Sequence, residues 1–240
     1  MSKLYVIGVG NGNYYDLTLR TINILNDVDL IYCDEKIFGS FNKQFNKEKI
    51  IGNKYNETSA RCHNAIKSAL CGKNVAILGS GDTGIYGIAS IILERTFEYM
   101  DKIDVEIVPG ITYAISGAAL LGSPLTQDFA VVTLSDNLAD KGKLVNKLES
   151  LAVSDLNIVF YSICNPTIQN LVIARNILLK YRSPKTIIGI TTAINCPNQE
   201  VILSTLEELP FEKVNSYSTL FVGNEKTKVL NRKIMVTPLL

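Results

Sequence analysis

Short apolar runs rich in β-branched residues, each closed by glycine, asparagine or aspartate, set the strongest limit on what this chain can fold into. Leu4 to Val9, Asp29 to Cys33, Val75 to Leu78 and Val105 to Val108 have the length and apolar character of parallel strands buried on both faces. Between them, Leu17 to Leu25 and Arg61 to Leu70 carry apolar residues at three-to-four spacing, and Gly72 stands where a helix C-cap is expected. This is the rhythm of an α/β fold, a parallel sheet covered by helices.

Pro109-Gly110 interrupts the chain after the fourth run, and Gly122-Ser123-Pro124 interrupts it again after the apolar helix expected over Ile111 to Leu121. The expected organisation is a lobe over 1–110, a linker helix and turn over 111–125, and a second α/β lobe over 126–240. Strands of the second lobe are expected at Ala130 to Leu134, Asn157 to Tyr161, Thr186 to Thr191, Glu200 to Leu203, Ser218 to Val222 and Lys233 to Val236. Helices Lys143 to Ala152 and Ile168 to Tyr181 separate the first three. The later strands lack long helices between them, so the second sheet is expected to be mixed, with hairpin-like pairing near its end.

Charge narrows the class of partner. With 24 basic and 23 acidic residues the formal charge is +1, which argues against nucleic acid or a membrane surface as the main partner. No apolar run reaches the roughly 18 residues of a membrane span, and Met1 to Lys3 lead straight into a strand, so a cytoplasmic, soluble protein is expected. The five cysteines are scattered and never form Cys-x-x-Cys, which suggests reduced thiols with neither a disulfide frame nor a protein-bound metal.

Two glycine-rich segments carry the candidate chemistry. The first strand runs into Gly8-Val9-Gly10-Asn11-Gly12, and the third into Gly79-Ser80-Gly81-Asp82-Thr83-Gly84-Ile85-Tyr86-Gly87. Glycines there let backbone approach a ligand, and ligands bind at the carboxyl ends of strands in open α/β sheets. The spacing is neither that of a dinucleotide fingerprint nor that of a P-loop. A tight strand-to-helix turn, with Asp82 or Thr83 as helix N-cap, is the structural alternative.

Taken with Val108-Pro109-Gly110-Ile111-Thr112 and Gly122-Ser123-Pro124-Leu125, these segments resemble the tetrapyrrole methylases in order and spacing. Asp128-Phe129-Ala130, Leu134-Ser135-Asp136, Val222-Gly223-Asn224 and Val236-Thr237-Pro238 are most similar to the precorrin-3B and cobalt-precorrin-3 C-17 methyltransferases. The resemblance implies two α/β lobes with the active site in a cleft between them, and S-adenosylmethionine as methyl donor. It places cofactor contacts on Gly10, Asn11, Ser80, Gly81, Asp82, Ile85, Thr112, Tyr113, Tyr161, Ser162, Ala193 and Ile194. Gly10-Asn11-Gly12 stands where the family commonly has Gly-Pro-Gly, and Tyr161-Ser162-Ile163 where it usually has Tyr-Asn-Pro.

The implied reaction is methylation of ring carbon 17 with contraction of the ring. Methyl transfer to an electron-rich ring carbon needs alignment in a water-excluding cleft more than a dedicated base. Contraction needs proton transfers, for which Ser135 and Asp136 are the catalytic candidates, with a turn or helix cap as their alternative. Tyr86, Tyr113 and Tyr161 are expected beside the ligand loops. Any cobalt arrives inside the substrate. Arg61, Arg95, Lys141 and Lys143 could meet substrate carboxylates, although solvated helix faces explain most such residues. The lone His63, in a helical stretch, is read as a surface or packing residue rather than a ligand or base.

The resemblance also implies a homodimer with a small tetrapyrrole substrate. Other readings are methylation at another ring carbon, a diphthine synthase-like or RNA methyltransferase of the same fold, and a non-catalytic ligand-binding module.

Overall fold

The apolar runs of the first half assemble into one parallel sheet. In the computed structural model, which describes residues 1–35, 37, 44–54, 57–135, 141–163 and 168–239, contacts divide the chain into two units, Met1–Tyr113 and Ala114–Leu240. The first unit comprises β1 (Ser2–Gly8), α1 (Leu19–Asp27), β2 (Leu30–Asp34), β3 (Ile50–Asn53), α2 (Thr58–Leu70), β4 (Val75–Gly79), α3 (Ala89–Thr96) and β5 (Ile103–Val108). The sheet order is β3-β2-β4-β1-β5, with every pair parallel.

Alternation along the strands explains why both faces are covered. Leu4 and Val6 of β1 and Val75 and Ile77 of β4 pack with Cys62, Ala65 and Ile66 of α2 and Ala89 and Ile92 of α3. Ile7, Ala76 and Leu78 point the other way, onto Leu25 of α1, Leu17 and Val28. From β1 the chain crosses past β4 to β2, and from β4 it crosses past β1 to β5. Right-handed crossovers in opposite directions put α1 and α3 on opposite faces, which makes the carboxyl ends of β4 and β1 the switch point of the sheet.

Local chemistry sets the helix ends. Thr18 accepts the Thr21 amide at 3.1 Å and so caps α1, which begins at Leu19 rather than at Leu17. Gly72, at φ 86°, donates to Ala69 O at 2.9 Å and closes α2 as expected. Two elements escape the sequence pattern. β3 offers only Ile50 and Ile51 as apolar residues, and α3 follows directly on a glycine loop.

The second unit comprises α4 (Tyr113–Leu121, starting at the unit boundary), β6 (Gly122–Ser123), β7 (Phe129–Thr133), α5 (Lys141–Val153), β8 (Asn157–Tyr161), α6 (Gln169–Tyr181), β9 (Ile187–Thr192), β10 (Glu200–Thr205), β11 (Ser218–Val222), β12 (Lys228–Leu230) and β13 (Ile234–Val236). Its main sheet, β10-β9-β11-β8-β7, is mixed: β7 and β8 are parallel and the remaining pairs antiparallel. Ile158, Phe160, Ile190 and Leu220 face α5 and α6, whereas Val159 and Phe221 face α4. A Cβ at Gly117 would lie 2.6 Å from the Phe221 ring, and one at Gly189 2.6 Å from Leu121, so these two glycines let α4 lie close on the sheet.

The last expected strand departs from expectation. β13 leaves the main sheet and joins β12 and β6 in a three-stranded sheet, pairing Met235 with Gly122 and Val236 with Ser123. A Cβ at Gly122 would meet Ile234 Cγ2 at 2.4 Å, so glycine is needed where the two strands pair. Among the described residues, no helix is long and apolar enough to cross a membrane.

Burial also sorts the thiols. Cys33 is pushed up to about 12 by burial and then by the Asp34 carboxylate, with Arg61 acting in the opposite direction. Burial likewise raises Cys62, whereas Cys71 and Cys196 are exposed. Because thiolate is the reacting form, iodoacetamide at pH 8 is expected to label Cys71 and Cys196 and to spare Cys33 and Cys62 until denaturant is added. Peptide mass mapping reads the outcome. Since unfolded Cys33 ionises near its ordinary value, its contribution to stability is full below about pH 9 and declines from there towards pH 12.

Candidate functional site

Three loops of the first unit meet at the carboxyl edge of its sheet, after the adjacent strands β4, β1 and β5. Gly10 and Gly81 form an isolated antiparallel bridge, Gly10 N donating to Gly81 O at 3.0 Å and Gly81 N to Gly10 O at 2.7 Å. Val9 N donates to Gly79 O at 3.0 Å. Both bridging glycines lie in the left-handed region, at φ 61° and 66°, where a side chain is strained. The third loop presses in at Gly110, whose added Cβ would fall 2.4 Å from both Gly8 C and Gly81 O.

Asp82 ties the arrangement together. Its Oδ2 accepts the Gly110 amide at 2.9 Å and its Oδ1 the Gly84 amide at 2.8 Å. The helix-cap alternative does not hold, because α3 begins only at Ala89, after the N-cap residue Ile88. The carboxylate is therefore a clamp between the second and third loops. Thr83 lies buried beneath it, with Oγ1 3.4 Å from Val6 O.

The cofactor candidates of this unit converge on that cluster. The Asn11 amide is buried, and neither its Nδ2 nor its Oδ1 has a hydrogen-bond partner, an arrangement that costs about 1–3 kcal/mol for each polar group so left. Ser80 and Ile85 are exposed, Thr112 is buried, and the Tyr113 ring lies over Gly81, 3.2 Å from where its Cβ would stand. Tyr86 is half exposed and holds φ 53°. Backbone that approaches within van der Waals distance, a buried amide left unpaired and exposed side chains on the rim suit a polar ligand with a flat apolar part.

In the second unit, β7, β8 and β9 run in one direction, so their carboxyl ends share an edge. Ser135, Tyr161, Ser162, Ala193 and Ile194 all fall there. Leu134 N donates to Tyr161 O at 2.9 Å, and the Asn170 amide donates to Leu134 O at 2.8 Å, which holds the end of β7 in place. Ser135 is buried, its N–H directed to Thr133 Oγ1 at 3.2 Å. The Tyr161 hydroxyl accepts the Ala114 amide at 2.6 Å and so serves the first turn of α4. Ser162, Ala193 and Asn195 hold φ of 54°, 50° and 63°. Such backbone costs roughly 1–2 kcal/mol per non-glycine residue and concentrates at ligand sites. Asp136 lies outside the described residues, as does the side chain of Lys141. Ala193 and Ile194 are buried.

Sequence reasoning missed two features. The left-handed residues carry no composition signal. Arg61 is only 4% exposed, so of its two readings, a partner for substrate carboxylates or a solvated helix face, the second does not hold. A signal for it existed, because Arg61 stands four residues before Ala65 and eight before Ala69, on the stripe that α2 buries. His63 is exposed, as expected.

The family model described as tetrapyrrole (corrin/porphyrin) methylases matches residues 3–210. The chain is 32% identical to the probable cobalt-factor III C(17)-methyltransferase of Salmonella typhimurium, over 98% of both chains. It is 31% identical to the cobalt-factor III methyltransferase of Priestia megaterium over 98% of its own length, but spans only 44% of that longer protein. Among solved structures, the methyltransferase CobJ superposes with a TM-score of 0.88 at 24% identity, covering 99% of this chain and 100% of that one. A uroporphyrin-III C-methyl transferase from Thermus thermophilus, complexed with S-adenyl homocysteine, superposes at 0.68 with 20% identity, covering 92% and 97%. The α/β fold with one parallel and one mixed sheet is thus shared with these methyltransferases.

The clamp is open to test. Asp82→Ala removes two charge-assisted bonds and is expected to lower the unfolding free energy by about 2 kcal/mol in a urea titration. Asp82→Asn, which keeps one acceptor, is expected to lose about half as much.

Proposed function

The chain belongs to the tetrapyrrole methylase family, and from that premise we propose that it transfers the methyl group of S-adenosylmethionine to carbon 17 of a cobalt-containing tetrapyrrole, with contraction of the ring, in cobalamin biosynthesis. The observation that carries this reading is the joined cluster of Gly10, Gly81 and Gly110 with the unpaired Asn11 amide beside it. Two relatives named for cobalt-factor III favour the cobalt-containing substrate over the metal-free one.

The residues of the first unit fit the cofactor. The Asn11 amide offers a donor and an acceptor that no described residue uses, and Gly10 and Gly81 leave backbone bare where a ligand must approach. Bound there, S-adenosylmethionine supplies a methyl group on a sulfonium, displaced by a nucleophilic carbon to leave a neutral thioether. Ser80, Asp82, Ile85, Thr112 and Tyr113 would hold it from the same cluster. Asp82 contributes by fixing the loops, since both its oxygens already accept backbone amides. Tyr161, Ser162, Ala193 and Ile194 are proposed as further cofactor contacts by resemblance.

Alignment then supplies most of the rate, as no base is required to activate an electron-rich ring carbon. Ser135 and Asp136 are proposed for proton transfer during contraction. Ser135 has the burial that such a role requires. The boundaries 1–110, 111–125 and 126–240, read from the Pro109-Gly110 and Gly122-Ser123-Pro124 breaks, a cytoplasmic location, read from the apolar pattern, and a homodimeric assembly, by resemblance, complete the proposal.

Purified protein incubated with labelled S-adenosylmethionine and either cobalt-factor III or metal-free precorrin-3B is expected to label the cobalt form and to yield a product heavier by one methyl group. Visible absorption reports the contracted ring. Binding of S-adenosylhomocysteine without transfer to either substrate overturns the C-17 assignment.

A further inference from the structure

Arg61 is a buried cation that the protein itself leaves unsatisfied. Among the described residues only Nη2 has a partner, a long 3.3 Å bond to Thr58 Oγ1, while Nε and Nη1 are shielded from solvent and bonded to none of them. Three N–H donors are thus unused. Among the described residues, no carboxylate lies in ion-pair contact with it. The buried Asp34 carboxylate accepts the Ile37 amide at 2.9 Å, and Glu57, the N-cap residue of α2, is exposed and makes no cap bond. Arg95 adds a second positive group nearby, held by Ser59 O at 2.9 Å and Ser59 Oγ at 2.8 Å.

Another buried arginine shows how this chain satisfies such a group when the role is structural. Arg182 directs Nε to Ala152 O, Nη1 to Gly223 O, and Nη2 to Leu151 O and Leu156 O, at 2.8–3.4 Å. Arg61 has no comparable set. A cation stripped of water and left unpaired costs several kcal/mol, and the opening turn of α2 raises that cost because amide dipoles there already point positive. An anion from outside the chain would offset that cost.

Position indicates which anion. β3 leads into α2, so Arg61 stands at the carboxyl edge of the parallel sheet, the same edge as the glycine loops. It lies beside the ends of β2 and β3, however, whereas the loops proposed for the cofactor follow β4, β1 and β5. We infer that Arg61 anchors a peripheral carboxylate of the macrocyclic substrate and fixes how the ring is presented. The inference rests on the tetrapyrrole reading above. The planar guanidinium matches a carboxylate in shape as well as in charge.

The test compares the full-length wild type with Arg61→Met and Arg61→Lys in three measurements: fluorescence titration with uroporphyrin, a carboxylate-rich porphyrin; calorimetric titration with S-adenosylhomocysteine; and thermal unfolding. Arg61→Met is expected to weaken porphyrin binding about 10- to 100-fold, with Arg61→Lys between it and the wild type. Homocysteine-ligand affinity should stay unchanged, and the unfolding temperature of Arg61→Met should hold or rise, because an unpaired buried charge is gone. Equal porphyrin affinity in wild type and Arg61→Met overturns the inference alone. Selective loss of S-adenosylhomocysteine binding reassigns Arg61 to the cofactor's carboxylate and also overturns it. A lowered unfolding temperature with both affinities falling together makes the role structural. Wild type that binds S-adenosylhomocysteine but no porphyrin overturns the tetrapyrrole reading, and the inference with it.

Discussion

Backbone meeting backbone, with no side chain between, is the constraint on which the ligand edge of the first unit depends. Gly10 and Gly81 exchange hydrogen bonds across the ends of β1 and β4, and Gly110 comes so close that a single added carbon would overlap both of the other loops. Three segments far apart in the chain are thereby held as one surface. Asp82 secures it with its two carboxylate oxygens on amides from two of the loops, so the charge most visible in the motif is used inwardly. What remains for a ligand is the amide of Asn11, the rim residues and the bare backbone.

The second unit reaches a comparable edge by different means. Its turns at the carboxyl ends of β8 and β9 accept left-handed backbone at the non-glycine residues Ser162, Ala193 and Asn195. Regular structure on either side holds these turns: β8 and β9 enter them, and Ala193 N is tied to Tyr217 O at 3.2 Å. Strain maintained in this way fits turns whose shape matters more than their stability. Tyr161 links the edge to α4 through the Ala114 amide, so the strand end and the helix start are set by one hydroxyl.

Buried polar groups divide into those the fold satisfies and those it does not. Arg182 and the knot of Asn224, Thr227 and Thr237 around the Asn157 carbonyl belong to the first kind. Among the described residues, Asn11, Arg61, the Asn157 Nδ2 and the Thr191 Oγ1 belong to the second, and of these Asn11 and Arg61 stand at the carboxyl edge of the parallel sheet. An unmade bond in a low-dielectric interior is expensive, so each of these groups lowers the stability of the fold.

The sequence by itself determined most strands, most helices and the place of the glycine loops, because each is written in a local period or a local turn chemistry. Runs such as Leu4 to Val9 announce burial on both faces, and Gly72 announces the end of a helix, with no knowledge of distant residues. Strand order was decided only by the tertiary structure, as was the migration of β13 to pair with Gly122 and Ser123. The same holds for Asp82, whose spacing permitted a helix cap but whose oxygen is taken by an amide 28 residues away. Arg61 lay on a buried stripe that the sequence displayed, yet that its Nε and Nη1 find no partner among the described residues was decided by what folding brings beside it. Local patterns are set by nearest neighbours along the chain, whereas pairing and its absence depend on groups that only folding brings together.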